Sequence, residues 1–264
     1  MKLLLLLLTS YCGYSQSGTL IIASIVPNRI VLAADSRGAF YVPGDNSKTI
    51  IATIDSSVKI FKLKQFSIGI TGVGSLGGIF FTEIIRNFNN SSPLDTSLIN
   101  TVKKFKSFLD SKFPNDAQRD SIAIIGCGFV NLKPQIIYFV RGQVQLENST
   151  SIWSDSTASK YSFKLDPALS IIDKIHKTMT DCAEGENKTR TIGGPISIVE
   201  IMPNNEQVWI ENNFSSHYFT TIQELYDAVK NETIKVTYYI PNAKAKLLEY
   251  IKQAIINTKS RVIF

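Results

Sequence analysis

Hydrophobic positions in this chain fall in continuous runs more than in alternation. Leu20 to Val26 and Ile30 to Ala34 are apolar and rich in β-branched residues, with Pro27-Asn28 between them. That pattern predicts a hairpin of two strands buried on both faces. Val58 to Leu63 and Phe66 to Thr71 predict a second strand pair around Lys64-Gln65. Ile50 to Ile54 predicts a short strand inside the Gly- and Pro-bearing excursion Gly38 to Ser57. Helical spacing then covers Leu76 to Phe88, directly after Gly72-Val73-Gly74-Ser75, and Leu94 to Phe113, opened by Ser92-Pro93.

The second half repeats the order. Ser121 to Cys127 and Gln135 to Val140 read as strands, with Asn131 and Pro134 in the turn. Pro167 to Thr180 reads as a helix, Ile196 to Met202 and Gln207 to Ile210 as a hairpin over Pro203-Asn204-Asn205. Thr221 to Lys230 and Asn242 to Asn257 close the chain as helices. Strand pairs, helices, more strands and more helices predict an α+β fold of two stacked antiparallel sheets covered by helices. No linker or change of composition divides it, and 264 residues bound it to one domain or at most two.

Residues 1 to 15 stand apart. Lys2, the apolar Leu3 to Leu8, and the small residues Gly13 and Ser15 form the pattern of a secretory signal peptide cleaved after Ser15. The apolar run is too short to span a bilayer, and Tyr11 before Cys12 makes a poor lipoprotein signal. The expectation is an exported protein without stable membrane insertion, in which residues 16–18 form a short propeptide and 19–264 the folded domain.

Charge adds little. A net +6 is scattered, and only Lys103-Lys104-Phe105-Lys106 clusters, as a solvated helix face does, so nucleic acid is not an expected partner. Cys127 and Cys182 sit in no metal-binding spacing and form either one bridge or two buried free thiols. His176 and His217 are the only histidines and are far apart in sequence, which argues against a zinc site or a Ser-His-Asp triad. No metal or organic cofactor is implied.

A hydrolase poor in histidine has another route. An N-terminal threonine exposed by cleavage after Gly18 carries a free amine of pKa about 7.7–8.0, which accepts the proton of its own hydroxyl. In an antiparallel hairpin Thr19, opening the first strand, lies beside Asp35, closing the second. Asp35 would hold the amine, Lys59 would favour the ionised hydroxyl, and the N–H in the Gly72 turn would receive the oxyanion, aided by a helix beginning just beyond. Ser17 is a second candidate nucleophile, two residues too early for the same hairpin.

Gly18-Thr19, Ala33-Ala34-Asp35-Ser36-Arg37, Lys59-Ile60-Phe61 and Gly72-Val73-Gly74 together resemble the proteasome β subunits and their bacterial relatives. These belong to the N-terminal-nucleophile (Ntn) hydrolases. The sixteen-residue step from Thr19 to Asp35 fits without a gap, while the step to Lys59 requires an insertion within Gly38 to Ser57. Ser121 to Val140 and Ile192-Gly193-Gly194-Pro195 resemble later strands of that family, so the likeness runs over residues 18–212. It implies a four-layer αββα sandwich, a threonine-type peptidase or amidohydrolase with catalytic Thr19, Asp35, Lys59 and Gly72, peptide or small amide substrates, and ring-shaped self-association. Where the family carries an Asp and a Ser before its paired glycines, this chain has Thr189 and Ile192. The family's supporting serine falls among Ser154, Ser156 and Ser159. Comparison with the proteasome's inactive subunits gives the alternative, a non-catalytic binding or structural protein.

Overall fold

The computed structural model describes residues 15–16, 19–42, 49–140, 143–147, 151–154, 160–162, 164–186, 190–212 and 219–259. The leader through residue 14, Ser17, Gly18, Ser156, Ser159, Thr189 and His217 lie outside them.

The expected hairpin forms as β2 (Ile21–Val26) and β3 (Arg29–Asp35), with Asn28 at φ 60° in the turn. It is the centre of a five-stranded antiparallel sheet ordered β13-β2-β3-β14-β15. Its other members are β13 (Ser151–Trp153), β14 (Ile196–Ile201) and β15 (Gln207–Glu211). A six-stranded sheet contains β7 (Phe66–Val73), β10 (Ala123–Val130), β11 (Lys133–Val140) and β12 (Gln143–Glu147) in series. On the edge of β7 away from β10 lie two short strands, β1 (Ser15–Gln16) and β6 (Ile60–Leu63).

These two sheets share a core. Ile21, Leu32 and Val199 from one meet Ile60, Ile125 and Ile136 from the other. The period of two sends alternate residues outward, where they are covered again. Leu20, Ile22 and Val31 pack on Ile175 and Met179 of α3 (Ile171–Glu184). Ile68 and Ile124 pack beneath Phe88 of α1 (Phe81–Ser91) and Phe105 of α2 (Leu98–Lys112). Burial on both faces is why these strands lack a polar alternate face. Cys127 lies in the core between the sheets and Cys182 on the buried face of α3, and the two are not joined by a disulfide.

The excursion carries more structure than one short strand. β4 (Gly38–Tyr41), β5 (Ile50–Ile54) and β16 (Val236–Tyr238) form a third antiparallel sheet. Phe40, Ile51 and Ile54 pack under Leu225 of α4 (Ile222–Lys230) and under Leu247 and Ile251 of α5 (Ala243–Lys259). Phe40 meets the Tyr250 ring edge-on at 6.1 Å.

Several boundaries differ from expectation for local reasons. Leu76 does not open a helix: Gly77 and Gly78 take positive φ and turn a two-strand hairpin, β8 (Ser75–Leu76) and β9 (Ile79–Phe80). Helix α2 starts at Leu98 because Ser97 caps it by accepting the Asn100 amide, and Ser170 caps α3 through Asp173. The β10–β11 turn is Asn131-Leu132, both at positive φ, and Pro134 stands within β11 opposite Phe129. Among the described residues, no helix is long and apolar enough to cross a membrane.

Candidate active site

The ends of β2 and β3 bring the first candidates together. Asp35 N–H donates to the Leu20 carbonyl at 3.2 Å, and Leu20 N–H donates to Asp35 Oδ1 at 2.9 Å. Asp35 is fully buried and Lys59 is 2% exposed. Lys59 Nζ donates to that same Oδ1 at 2.8 Å. One carboxylate oxygen thus joins Lys59 to the residue following Thr19. The other, Oδ2, accepts from Arg37 N–H at 3.2 Å and Gly193 N–H at 3.1 Å.

Lys59 reaches this point because its own backbone continues the β6 edge. Its carbonyl accepts from Ile70 N–H at 2.9 Å, setting it against the middle of β7. Burial lowers the Lys59 pKa, and the Asp35 carboxylate opposes that shift only in part. The ammonium at this site is therefore easier to deprotonate than an exposed one.

Thr19 itself is nearly buried, at 6% exposure. Its carbonyl accepts from Ser154 Oγ at 2.9 Å, while Ser154 Oγ accepts from Ile21 N–H at 2.7 Å. Ser154 N–H in turn donates to the Ile21 carbonyl at 2.9 Å. This serine follows β13, a strand within a stretch that reads as an Asn- and Ser-rich loop. It is one of the three candidate serines, and the pairing of β13 with β2 brings it to Thr19; Ser156 and Ser159 lie outside the described residues.

Gly72 lies two residues beyond Ile70 on β7, at φ +102°. A Cβ there would come within 2.2 Å of the Ser121 carbonyl, so the close approach of that backbone requires glycine. Gln16 pairs with Gly72, and Ser15 with Val73, so Ser15–Gln16 lies as an added strand along the end of β7. The helix expected just beyond Gly72 is not there. The β8–β9 hairpin intervenes, and α1 begins only at Phe81, which removes a helix dipole from the argument for Gly72.

Two groups beyond the expected set complete the surroundings. Arg37 holds Asp55 through Nε at 2.7 Å and Nη2 at 2.9 Å, and donates from Nη1 to the Ile192 carbonyl at 3.2 Å. The Asp55 hydrogen bond raises the Arg37 pKa further, against the effect of burial. Ile192, at the position where the resembling family has a serine, is buried beneath α3. Arg37 belongs to the quoted motif, but nothing in the sequence signals its pairing with an acid eighteen residues on. Among the described residues, no group of three or more His, Cys, Asp or Glu side chains could hold a metal ion.

The arrangement is a buried, neutralised acid–lysine pair beside the start of β2, while Gly72 sits at positive φ near the end of β7 in the other sheet. Such a pair fixes charge in a low-dielectric setting and shifts the proton affinity of nearby groups. No family model matches the chain, and no curated protein matches it.

Proposed function

We propose that this chain is an exported N-terminal-nucleophile hydrolase with a proteasome-β-like four-layer αββα sandwich, cleaving peptide or other amide bonds with Thr19. The observation carrying this reading is the shared Asp35 Oδ1, which accepts from both Lys59 Nζ and the Leu20 amide. Ser154, bonded to the Thr19 carbonyl, supports it by fixing the backbone of the proposed nucleophile.

In the full chain Gly18 acylates the Thr19 nitrogen, so the first requirement is scission of the Gly18–Thr19 bond. The freed amine then takes the hydroxyl proton as Oγ1 bonds to the substrate carbonyl carbon. Lys59 favours the developing alkoxide by its charge, and the Gly72 N–H stabilises the oxyanion. Collapse breaks the carbon–nitrogen bond, with the proton passing from the Thr19 ammonium to the leaving amine. Water then hydrolyses the ester formed with Thr19, returning the hydroxyl. Short peptides and small amides suit an exported enzyme without an unfolding partner, and ring-shaped self-association is part of this reading.

One observation favours the non-catalytic alternative. Buried Ile192 offers no hydroxyl where the resembling family has one. N-terminal sequencing of secreted protein and labelling with an electrophilic probe for N-terminal threonine separate the two. The hydrolase reading expects a chain beginning at Thr19, labelled in the wild type and Ser17→Ala but not in Thr19→Ala. A mature chain beginning at Gln16 and inert to the probe would establish the alternative.

A further inference from the structure

Asp35 depends on its surroundings at both oxygens, and the Oδ2 side is held by a device separate from Lys59. The two amides on Oδ2 belong to Arg37 and Gly193, from segments far apart in the chain. Their chain segments are tied together by one side chain. Arg37 grips Asp55 with two nitrogens and the Ile192 carbonyl with the third. Ser36 is fixed between the same partners: its N–H donates to the Gly193 carbonyl at 3.2 Å and its carbonyl accepts from Ser57 N–H at 2.8 Å.

The packing leaves no slack. Gly193 and Gly194 both take positive φ, at 146° and 75°. A Cβ on Gly193 would lie 2.7 Å from the Arg37 guanidinium carbon, and one on Gly194 would lie 2.6 Å from Ser36 Oγ and 2.8 Å from Asp55 Cβ. Asp55 directly follows β5, the middle strand of the third sheet, whose core is supplied by α4 and α5.

We propose that Asp55 is a positioning residue for Asp35: through its two-pronged hold on Arg37 it keeps the Arg37 and Gly193 amides on Oδ2, and so couples the C-terminal helices to the candidate active site. This rests on the hydrolase reading for its catalytic meaning, but its geometry is testable without activity. A bidentate guanidinium–carboxylate pair fixes direction as well as distance, which a single ammonium contact does not.

The test is amide hydrogen exchange by NMR on the full chain, alongside the rate of Thr19 labelling of the processed protein as a function of pH. Asp55→Asn should speed exchange at Arg37 and Gly193 about tenfold or more, the loss of a hydrogen bond to a charged group, while Leu20 on Oδ1 changes little. Asp55→Glu should restore most of the protection. Arg37→Lys, which replaces the two-pronged hold by one ammonium contact and cannot keep all three contacts, should open the same two amides at least as far. Labelling by Asp55→Asn should slow with a displaced pH midpoint, and Asp55→Glu should recover it. Unaltered exchange at Arg37 and Gly193 in Asp55→Asn overturns the proposal, as does equal loss of protection at Leu20. If wild-type protein takes no label, the hydrolase reading fails, yet the exchange data still decide whether Asp55 holds Asp35.

Discussion

The two ends of the shared core between the large sheets are fastened by different chemistry. At one end, where β3 finishes and β14 begins, the fastening is ionic: Asp35, Lys59, Arg37 and Asp55. At the other, where β14 turns into β15, the fastening from sheet to sheet is neutral. Asn205 bridges to Phe129 of β10, accepting its N–H at 2.6 Å and donating to its carbonyl at 2.9 Å. Gln207 Nε2 donates to Ser67 Oγ at 2.7 Å nearby. Neutral hydrogen bonds suffice to hold sheets in register. A buried ion pair is a poor way to do that, because desolvation cancels much of its attraction. Among the described residues the Asp35–Lys59 pair is fully buried, whereas the Arg29–Glu200 pair at the β14–β15 end is partly exposed. That contrast is the reason to look for chemistry at the first end.

The comparison breaks most readily at Asp35. Asp35→Leu strands the Lys59 ammonium and leaves three amides unpaired, so it should cost about 3–5 kcal/mol in urea unfolding. Lys59→Met should cost less, because the carboxylate keeps its Leu20, Arg37 and Gly193 donors. If Lys59→Met proves the more damaging, the ionic end is a structural fastening after all. At the neutral end, Asn205→Ala removes two hydrogen bonds and should cost about 2 kcal/mol.

A smaller effect follows from acidity. The Lys59 pKa in the folded protein is below its unfolded value of about 10.4. Between the two values the unfolded chain holds the proton that the folded one has released. Stability from this group therefore rises with pH across that window and is level beneath it. Urea midpoints of wild type minus those of Lys59→Met, measured up to pH about 10 on the scale of that reference value, should slope upward. The neutral end contributes no such slope, and Asn205→Ala should parallel the wild type.

The smallest expected change is in the thiols. Burial pushes the Cys127 thiol well up, and Cys182 sits in a different core. Peptide mapping after brief alkylation should find neither modified until denaturant is added, and reductant should leave the unfolding midpoint unchanged.

What the sequence makes legible follows from the range of the forces involved. The β2–β3 hairpin announces itself because its strands are buried on both faces and joined by a two-residue turn, and pairing then brings Asp35 to Leu20 without further information. Lys59 is legible as a motif, but its position against Ile70 depends on the β6–β7 ladder. Ser154, one of three candidate serines, and Asp55 are less legible for a different reason. Ser154 reaches the site through β13, whose partner β2 lies far away in the chain, whereas Asp55 comes beside Arg37 through the β4–β5 pairing, which sets Gly38 opposite Ile54. The helix expected after Gly72 failed locally: apolar spacing there suits a helix, but Gly77 and Gly78 turn the backbone back before one can start.

Asp35 carries a last consequence. A carboxylate offers roughly four lone-pair sites, and Lys59, Leu20, Arg37 and Gly193 supply four donors. Its acceptor capacity is full. It is a hub around which the backbone of three separate segments and one lysine are gathered, with no acceptor site left over for a further donor.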